Sequence, residues 1–401
     1  MKKEMPMALK PEQITRLAIL ELNALALTRV LPASVEKARI TDAGTPVYDP
    51  NGTLLFHRVP IMRGRVSIGY ADISAQEALG EPLLAVSTGA AWNEKTIVRE
   101  ATAAARRIQR ALVFDETRFV AFSFPKIAVQ FLNRGEEVLL LEWRTWAVVP
   151  PAVRSERNPL EPSNFERWSL LDEMPAADKR KKTTEFKKRL EVWASPVLRE
   201  INTNLITEAT FKLPGILLPL VETREVRYSA RTADHAPCYE LRGQQTGVWC
   251  VAASTEMLLN FYRYHYDQPR LAQELGLGTC DHPNGLPYSQ VNKVVTVIEK
   301  LTSNTLDATL IASPGWTTFR DEIRANRPLI SFIPGHSRTV AGYTSHRLAL
   351  PGELPFKGLL VYDPWPPTDC EHPEDGGVIT RWENFATQTY QYAYSAVLKH
   401  V

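Results

Sequence analysis

The sequence predicts an α+β protein built of two folded parts joined by an irregular stretch. Short apolar runs separated by turn residues alternate with two helical stretches over the first 150 residues. A proline-rich, charged stretch follows Trp146, and the last third opens on a cysteine at the head of an apolar helix. With 401 residues the chain exceeds the roughly 250–300 that one core fills. The divisions read from it are 1–150, 151–235 and 236–401.

Each element has a local cause. Residues 8–30 space Leu9, Ile14, Leu17, Leu20, Leu22, Leu25 and Leu27 near a 3.6-residue period, predicting an opening helix. In TPVYDPNGTLLFHRVPI, Asp49-Pro50-Asn51-Gly52 separates two apolar segments, and Asn-Gly accepts the positive φ of a tight hairpin turn. EPLLAVSTG is a strand candidate, and residues 94–113, rich in Ala and Arg, a second helix. FVAFSFPKIAVQFL and EEVLLLEWRTWAVVP read as paired strands. The first 150 residues are thus a hairpin-rich α+β unit with two helices.

VVPPAVRSERNPLEPSNFERW has the composition of a linker. Residues 176–201 form a basic helix or helix pair interrupted at Pro196, whose run Lys179–Lys182 reads as a solvated face. ATFKLPGILLPLV and REVRYSAR are two further strand candidates.

Composition narrows the function. The chain is 44% hydrophobic and 23% charged, the balance of a globular protein, and 47 basic against 45 acidic residues leave a net charge of +2. No global field draws it to nucleic acid or an anionic membrane, and neither is an expected partner. The N-terminal stretch is broken by Glu21 and Asn23, so it reads as an amphipathic helix and not a signal peptide. No run of eighteen apolar residues implies a transmembrane helix. That leaves the compartment open between the cytoplasm and export by a non-classical route. Four cysteines, at 238, 250, 280 and 370, are too few for a disulfide scaffold.

GQQTGVWCVAASTEMLLNFYRYHY places Cys250 just ahead of a helix, where unsatisfied N–H groups and the macrodipole favour thiolate. Taken alone, a cysteine is as readily a small buried hydrophobe. Gln244 lies six positions earlier, where its amide can donate to an oxyanion alongside the Cys250 N–H; Gln245 is the rival. PLISFIPGHSRTVAGY offers a buried strand, a Pro-Gly turn and then His336, a candidate general base at the head of a second strand. GLLVYDPWPP delivers Asp363, a carboxylate suited to orient an imidazole. Trp249 and Trp365 read as walls of the site, and His265 and His346 as ordinary histidines.

The order Gln, Trp-Cys at a helix start, His before a strand ending Gly-Tyr, then Asp-Pro-Trp resembles the papain-like cysteine peptidases. The nearest patterns are the compact bacterial branches: staphopain-like enzymes, bacteriocin leader peptidases and papain-like effector proteases of plant-pathogenic bacteria. The 86 residues from Cys250 to His336 and 27 from His336 to Asp363 suit a short catalytic domain. The resemblance covers about residues 237–401 and implies a papain-like domain, a nucleophile-bearing helix packed on an antiparallel sheet. It makes Gln244 the oxyanion amide, Cys250 the nucleophile, His336 the base and Asp363 its orienting group. Many papain relatives use asparagine at the last position, and aspartate favours the compact branches. The implied activity is hydrolysis of a peptide or protein substrate with no metal or cofactor. Transglutaminase-like or deamidating acyl transfer, and an inactive binding module, are the alternatives.

Cys280-Asp-His282-Pro283 and Cys370-Glu-His372-Pro373 repeat one form. A zinc site, a disulfide and coincidence all stay open on sequence. By analogy with zymogens, residues 1–150 are expected to be a cystatin-like or propeptide-like inhibitory module, with a domain for docking substrates or partners as the alternative.

Overall fold

A computed structural model describes residues 9–26, 30–32, 35, 38–89, 91–150, 167–194, 220–226, 241–348, 354–365, 370–371 and 378–399. The expectations for 151–166, for Pro196, for the strand run 209–219 and for His372 fall outside the described residues. The chain is α+β, dominated by antiparallel pairing.

Helix α1 (Pro11–Ala26) precedes the strands β1 (Thr45–Tyr48), β2 (Leu54–Arg63), β3 (Val66–Ser74) and β4 (Leu83–Thr88). The β1–β2 connection is the expected turn: the Gly52 N–H donates to the Asp49 carbonyl at 2.8 Å, and Gly52 takes a φ of +83°. Helix α2 (Glu94–Ile108) is capped by Asn93, whose side chain accepts from the Thr96 N–H. Strands β5 (Glu116–Ser123), β6 (Lys126–Asn133) and β7 (Glu136–Glu142) form a meander. Helices α3 (Leu170–Glu173) and α4 (Ala176–Trp193) follow, then β8 (Leu220–Glu225). α4 is anchored to α1 by the buried Arg189–Glu21 pair, with Trp193 Nε1 donating to the same carboxylate at 2.6 Å.

The C-terminal part begins with α5 (Cys250–Phe261), α6 (Gln268–Leu275) and α7 (Lys293–Leu301). Strand β9 (Leu306–Ala312) and helix α8 (Trp316–Arg324) lead into β10 (Leu329–Ile333), β11 (His336–Leu348), β12 (Leu354–Asp363), β13 (Ile379–Asn384) and β14 (Tyr392–Leu398). Every residue of α5 is buried, and its Leu258, Leu259 and Phe261 share a core with β10, β11 and β12. A helix apolar on all sides has to be enclosed, and here the sheet and α6 and α7 enclose it.

The two parts share one fourteen-stranded sheet, ordered β7-β6-β5-β1-β2-β3-β4-β13-β12-β11-β10-β14-β9, with β8 on β11. The seam is β4 against β13, antiparallel, with Arg381 opposite Ser87 and Glu383 opposite Ala85. Side chains close it further: Asn384 Nδ2 donates to the Leu83 carbonyl at 3.1 Å, and Ser87 Oγ to the Thr380 carbonyl at 3.0 Å. Phe356 of β12 packs into the core beneath α1, while Trp365 and Ile379 pack into the core lined by β1–β7 and α2. The N-terminal sheet therefore curls back until the end of β7 meets the end of β12, where the Trp143 and Trp365 rings meet edge to face at 6.1 Å.

Candidate active site

Cys250, His336, Asp363 and Gln244 come together where the start of α5 meets the facing ends of β11 and β12. Cys250 is the first residue of α5, and its neighbour Trp249 is locked by Nε1 donating to the Leu277 carbonyl at 3.1 Å. The backbone N–H groups of Val251 and of Ser337, the residue after His336, both favour the Cys250 thiolate. Cys250 shares its core with Val340 of β11, which brings the helix start to that strand. His336 is delivered by a two-residue turn, Ile333 pairing with His336 across Pro334-Gly335. Gly335 adopts a φ of +69°, which such a turn favours, and its N–H donates to Tyr288 Oη at 2.9 Å.

His336 Nε2 lies 2.6 Å from Asp363 Oδ1 and both side chains are 1% exposed. The Nδ1 atom is buried without a hydrogen-bond partner. With Nε2–H committed to the carboxylate, Nδ1 is the nitrogen with a lone pair to offer. Asp363 is held in turn by Arg381 through its other oxygen, and by the Trp365 N–H at 3.0 Å. Behind it, Arg338 Nη2 meets Glu383 Oε1 at 3.0 Å, and the Tyr390 hydroxyl donates to the same oxygen at 3.0 Å.

Burial would raise the Asp363 carboxyl, but His336, Arg381 and Arg338 outweigh it and hold Asp363 well below the usual carboxylate range. Burial takes His336 down to about 4 against the attraction of Asp363, with Lys126 and Arg338 adding to the fall. Burial also pushes the Cys250 thiol up, opposed by Lys126 and the Ser337 N–H. The enclosed site is therefore poised as neutral thiol beside neutral imidazole, not as an ion pair. The Val251 N–H at the helix start favours thiolate, but less than burial opposes it.

Gln244 is fully buried, and its backbone N–H donates to the Pro364 carbonyl at 2.9 Å, tying it to the Asp363 segment. Its Nε2 donates one hydrogen to the Thr246 carbonyl at 2.8 Å, which leaves the second. Gln245 instead lines a surface cavity with Thr246, Cys280, Asp281, Cys370 and Glu371. Gln268, which carries no motif, clamps this loop: its Oε1 accepts from the Gln245 N–H at 2.9 Å and its Nε2 donates to the Gly243 carbonyl at 2.8 Å.

Cys280 and Cys370 are joined as a disulfide, Cα atoms 6.3 Å apart, which leaves Cys250 the one free cysteine among the described residues. Those sulfurs are then not thiolates, so of the three readings left open for the repeated Cys-acid-His-Pro form the disulfide is the one present. Among the described residues no group of three metal-ligating side chains occurs, and no helix is long and apolar enough to cross a membrane. His265 Nδ1 contacts Asn260 Oδ1 at 3.1 Å, and His346 stacks on Phe356. Trp365 serves as a wall, and its Nε1 donates to Glu142 Oε1 at 2.8 Å.

Three residues beyond the expected set belong to this neighbourhood: Arg381, Glu142 and Lys126. Lys126 is a lysine within the apolar run FSFPKIAVQF, and that anomaly was the available signal.

The site thus gathers a thiol at a helix start, an imidazole with one unpartnered nitrogen and a buried carboxylate. Residues 229–393 match the model of the Peptidase_C39 like family, which supports a cysteine peptidase at the general level. The crystal structure of UfSP from C. elegans is similar at 15% identity with a TM-score of 0.26, over 45% of this chain and 34% of that one. The chain thus spans about a third of the length of that protein. No curated protein matches the chain.

Proposed function

We propose that the protein is a cysteine endopeptidase of the compact papain-like kind, with its site closed by the N-terminal sheet. The observation that carries this reading is the His336–Asp363 contact beside a thiol at a helix start, with Nδ1 left unpartnered.

In the reaction, His336 Nδ1 takes the proton from Cys250 as the sulfur attacks a peptide carbonyl. Positive charge appearing on the imidazole is met by Asp363, which stays ionised. The tetrahedral oxyanion is stabilised by the Cys250 N–H and the remaining Gln244 Nε2–H. His336 returns the proton to the departing amine, leaving a thioester. Water, deprotonated by His336, then releases the acid product and regenerates the thiol. No step calls on a metal or cofactor.

Restraint by the N-terminal region is supported by enclosure. Cys250, His336 and Asp363 are each 3% exposed or less, and the β6–β7 meander lies against Trp365. A peptide carbonyl reaches Cys250 once that meander is displaced. The test is a digest of a peptide library by the wild-type chain beside Cys250→Ala. Cleavage by the wild type alone is expected once mild denaturant has loosened the N-terminal sheet; cleavage by both, or by neither under that condition, would count against the assignment.

A further inference from the structure

The enclosed site contains a charge that the triad and oxyanion hole do not use. Lys126 opens β6 within the N-terminal sheet, yet its side chain is 1% exposed. Its electrostatic partners are Glu142, Cys250 and Asp363, and it acts on His336 as well. The meander that carries it is fixed to the catalytic segment twice, by Trp365 Nε1 on Glu142 Oε1 and by the Trp143–Trp365 ring contact. Thr145 Oγ1 donates to the other Glu142 oxygen at 2.7 Å, so the carboxylate facing Lys126 is itself held in place. An ammonium group taken out of water costs several kcal/mol unless compensated. Part of its compensation here comes from the attraction of Glu142, Cys250 and Asp363.

We propose that Lys126 is a positioning residue of the active site, supplied by the N-terminal sheet, whose ammonium group stabilises the thiolate form of Cys250. The inference rests on the reading of Cys250 as nucleophile and deepens it. An imidazolium normally supplies the positive charge that a catalytic thiolate needs, but the burial that keeps His336 neutral removes that source. Burial also pulls Lys126 below its ordinary value, against the attraction of Glu142, Cys250 and Asp363, and in its charged form Lys126 supplies the cation that His336 does not. The other groups around the sulfur either oppose it or are already matched. Asp363 is repulsive to a thiolate, and Arg381 is bound to Asp363. Arg338 is bound to Glu383, and the Tyr288 hydroxyl, pushed up to about 12 mainly by burial, stays protonated. Glu142 offsets part of the Lys126 charge.

The test is a pH titration of the ultraviolet thiolate absorbance of the full, unreduced chain, with Cys250→Ser as the blank. Subtracting the Cys250→Ser blank removes the contribution of Cys238 and of the tyrosines, so the difference signal belongs to Cys250, the one free cysteine among the described residues. Lys126→Met is expected to move the midpoint up by about one pH unit, about a tenfold loss of thiolate at fixed pH, and Lys126→Arg to restore it. Glu142→Gln can still accept from Trp365 while losing its charge, and is expected to move the midpoint down. A merely structural lysine would give no such opposed shifts. If Lys126→Met does not fold, Lys126→Gln takes its place, and a titration unchanged from wild type overturns the proposal. The readout needs no substrate. Opposed shifts in a chain that cleaves nothing would sink the peptidase reading and keep the Lys126 role, and cleavage with invariant titrations would do the reverse.

Discussion

His336 Nε2 and Asp363 Oδ1 meet at 2.6 Å inside the sheet, away from solvent, and this contact decides which imidazole nitrogen can act as base. An ionised carboxylate can only accept, so Nε2 must donate and Nδ1 keeps its lone pair. Asp363→Asn preserves the shape but lets an amide N–H face Nε2, which drives the proton to Nδ1. The expected result is a fall of about 10²–10⁴-fold in kcat with little change in KM, measured on peptides from the library digest. Wild-type turnover would remove Asp363 from the mechanism.

Local features were legible where local chemistry suffices. The Asp49–Gly52 turn, the helix expected over 94–113 and the apolar helix behind Cys250 each follow from neighbouring residues, and each is present, the second ending five residues early at Ile108. The four site residues were legible as types at the ends of elements, because a Pro-Gly turn before His336 and an apolar strand before Asp363 fix where those side chains emerge. The β4–β13 seam was not, because nothing in LLAVST or ITRWEN specifies a partner almost 300 residues away. Strand β8 lies in the stretch read as tether and yet pairs with β11. Lys126 stood out as a lysine in an apolar run, but its place near the site depends on the curl of the whole sheet. The Cys280–Cys370 pairing likewise needs the fold to bring together two loops 90 residues apart.

His346 makes acid stability a second check on the fold. It is 3% exposed, stacked at 5.3 Å on Phe356, and both ring nitrogens lack partners. Burial takes it down to about 4, with Arg189 adding to the fall and Glu21 opposing it. The unfolded chain, with an ordinary value of 6.5, binds the proton first. Stability is therefore full above about pH 6.5 and lost as pH falls toward 4, and His336 acts in the same direction. Glu81 runs the other way: raised by burial from 4.5 to about 7, it contributes stability at low pH that is lost as pH rises through 7. Between those limits two histidines outweigh one glutamate, so the melting temperature should drop from pH 7 to pH 5. His346→Met should recover up to about 3 kcal/mol near pH 4 relative to its effect at neutral pH. Parallel profiles for the two proteins, followed by thermal unfolding across that range, would refute a buried neutral His346.

The shared sheet predicts that the two parts stay together without a covalent link. Strand β4 completes the edge of β13, and removing it would expose a row of backbone donors and acceptors to solvent or to another chain. The contact is not backbone alone, since Phe356 and Trp365 each sit in a core formed mainly by N-terminal residues. A protease site placed within residues 151–166 should thus yield two fragments that co-elute at the intact size in native buffer and separate only in denaturant. Cutting there also bears on restraint by the N-terminal region, because it leaves the meander seated against Trp365. Peptide hydrolysis should change little on cutting and rise when mild denaturant loosens the N-terminal fragment. Fragments that part in native buffer would show that the β4–β13 seam does not hold the molecule together, and activity that jumps on the cut alone would assign the restraint to the tether and not to the sheet.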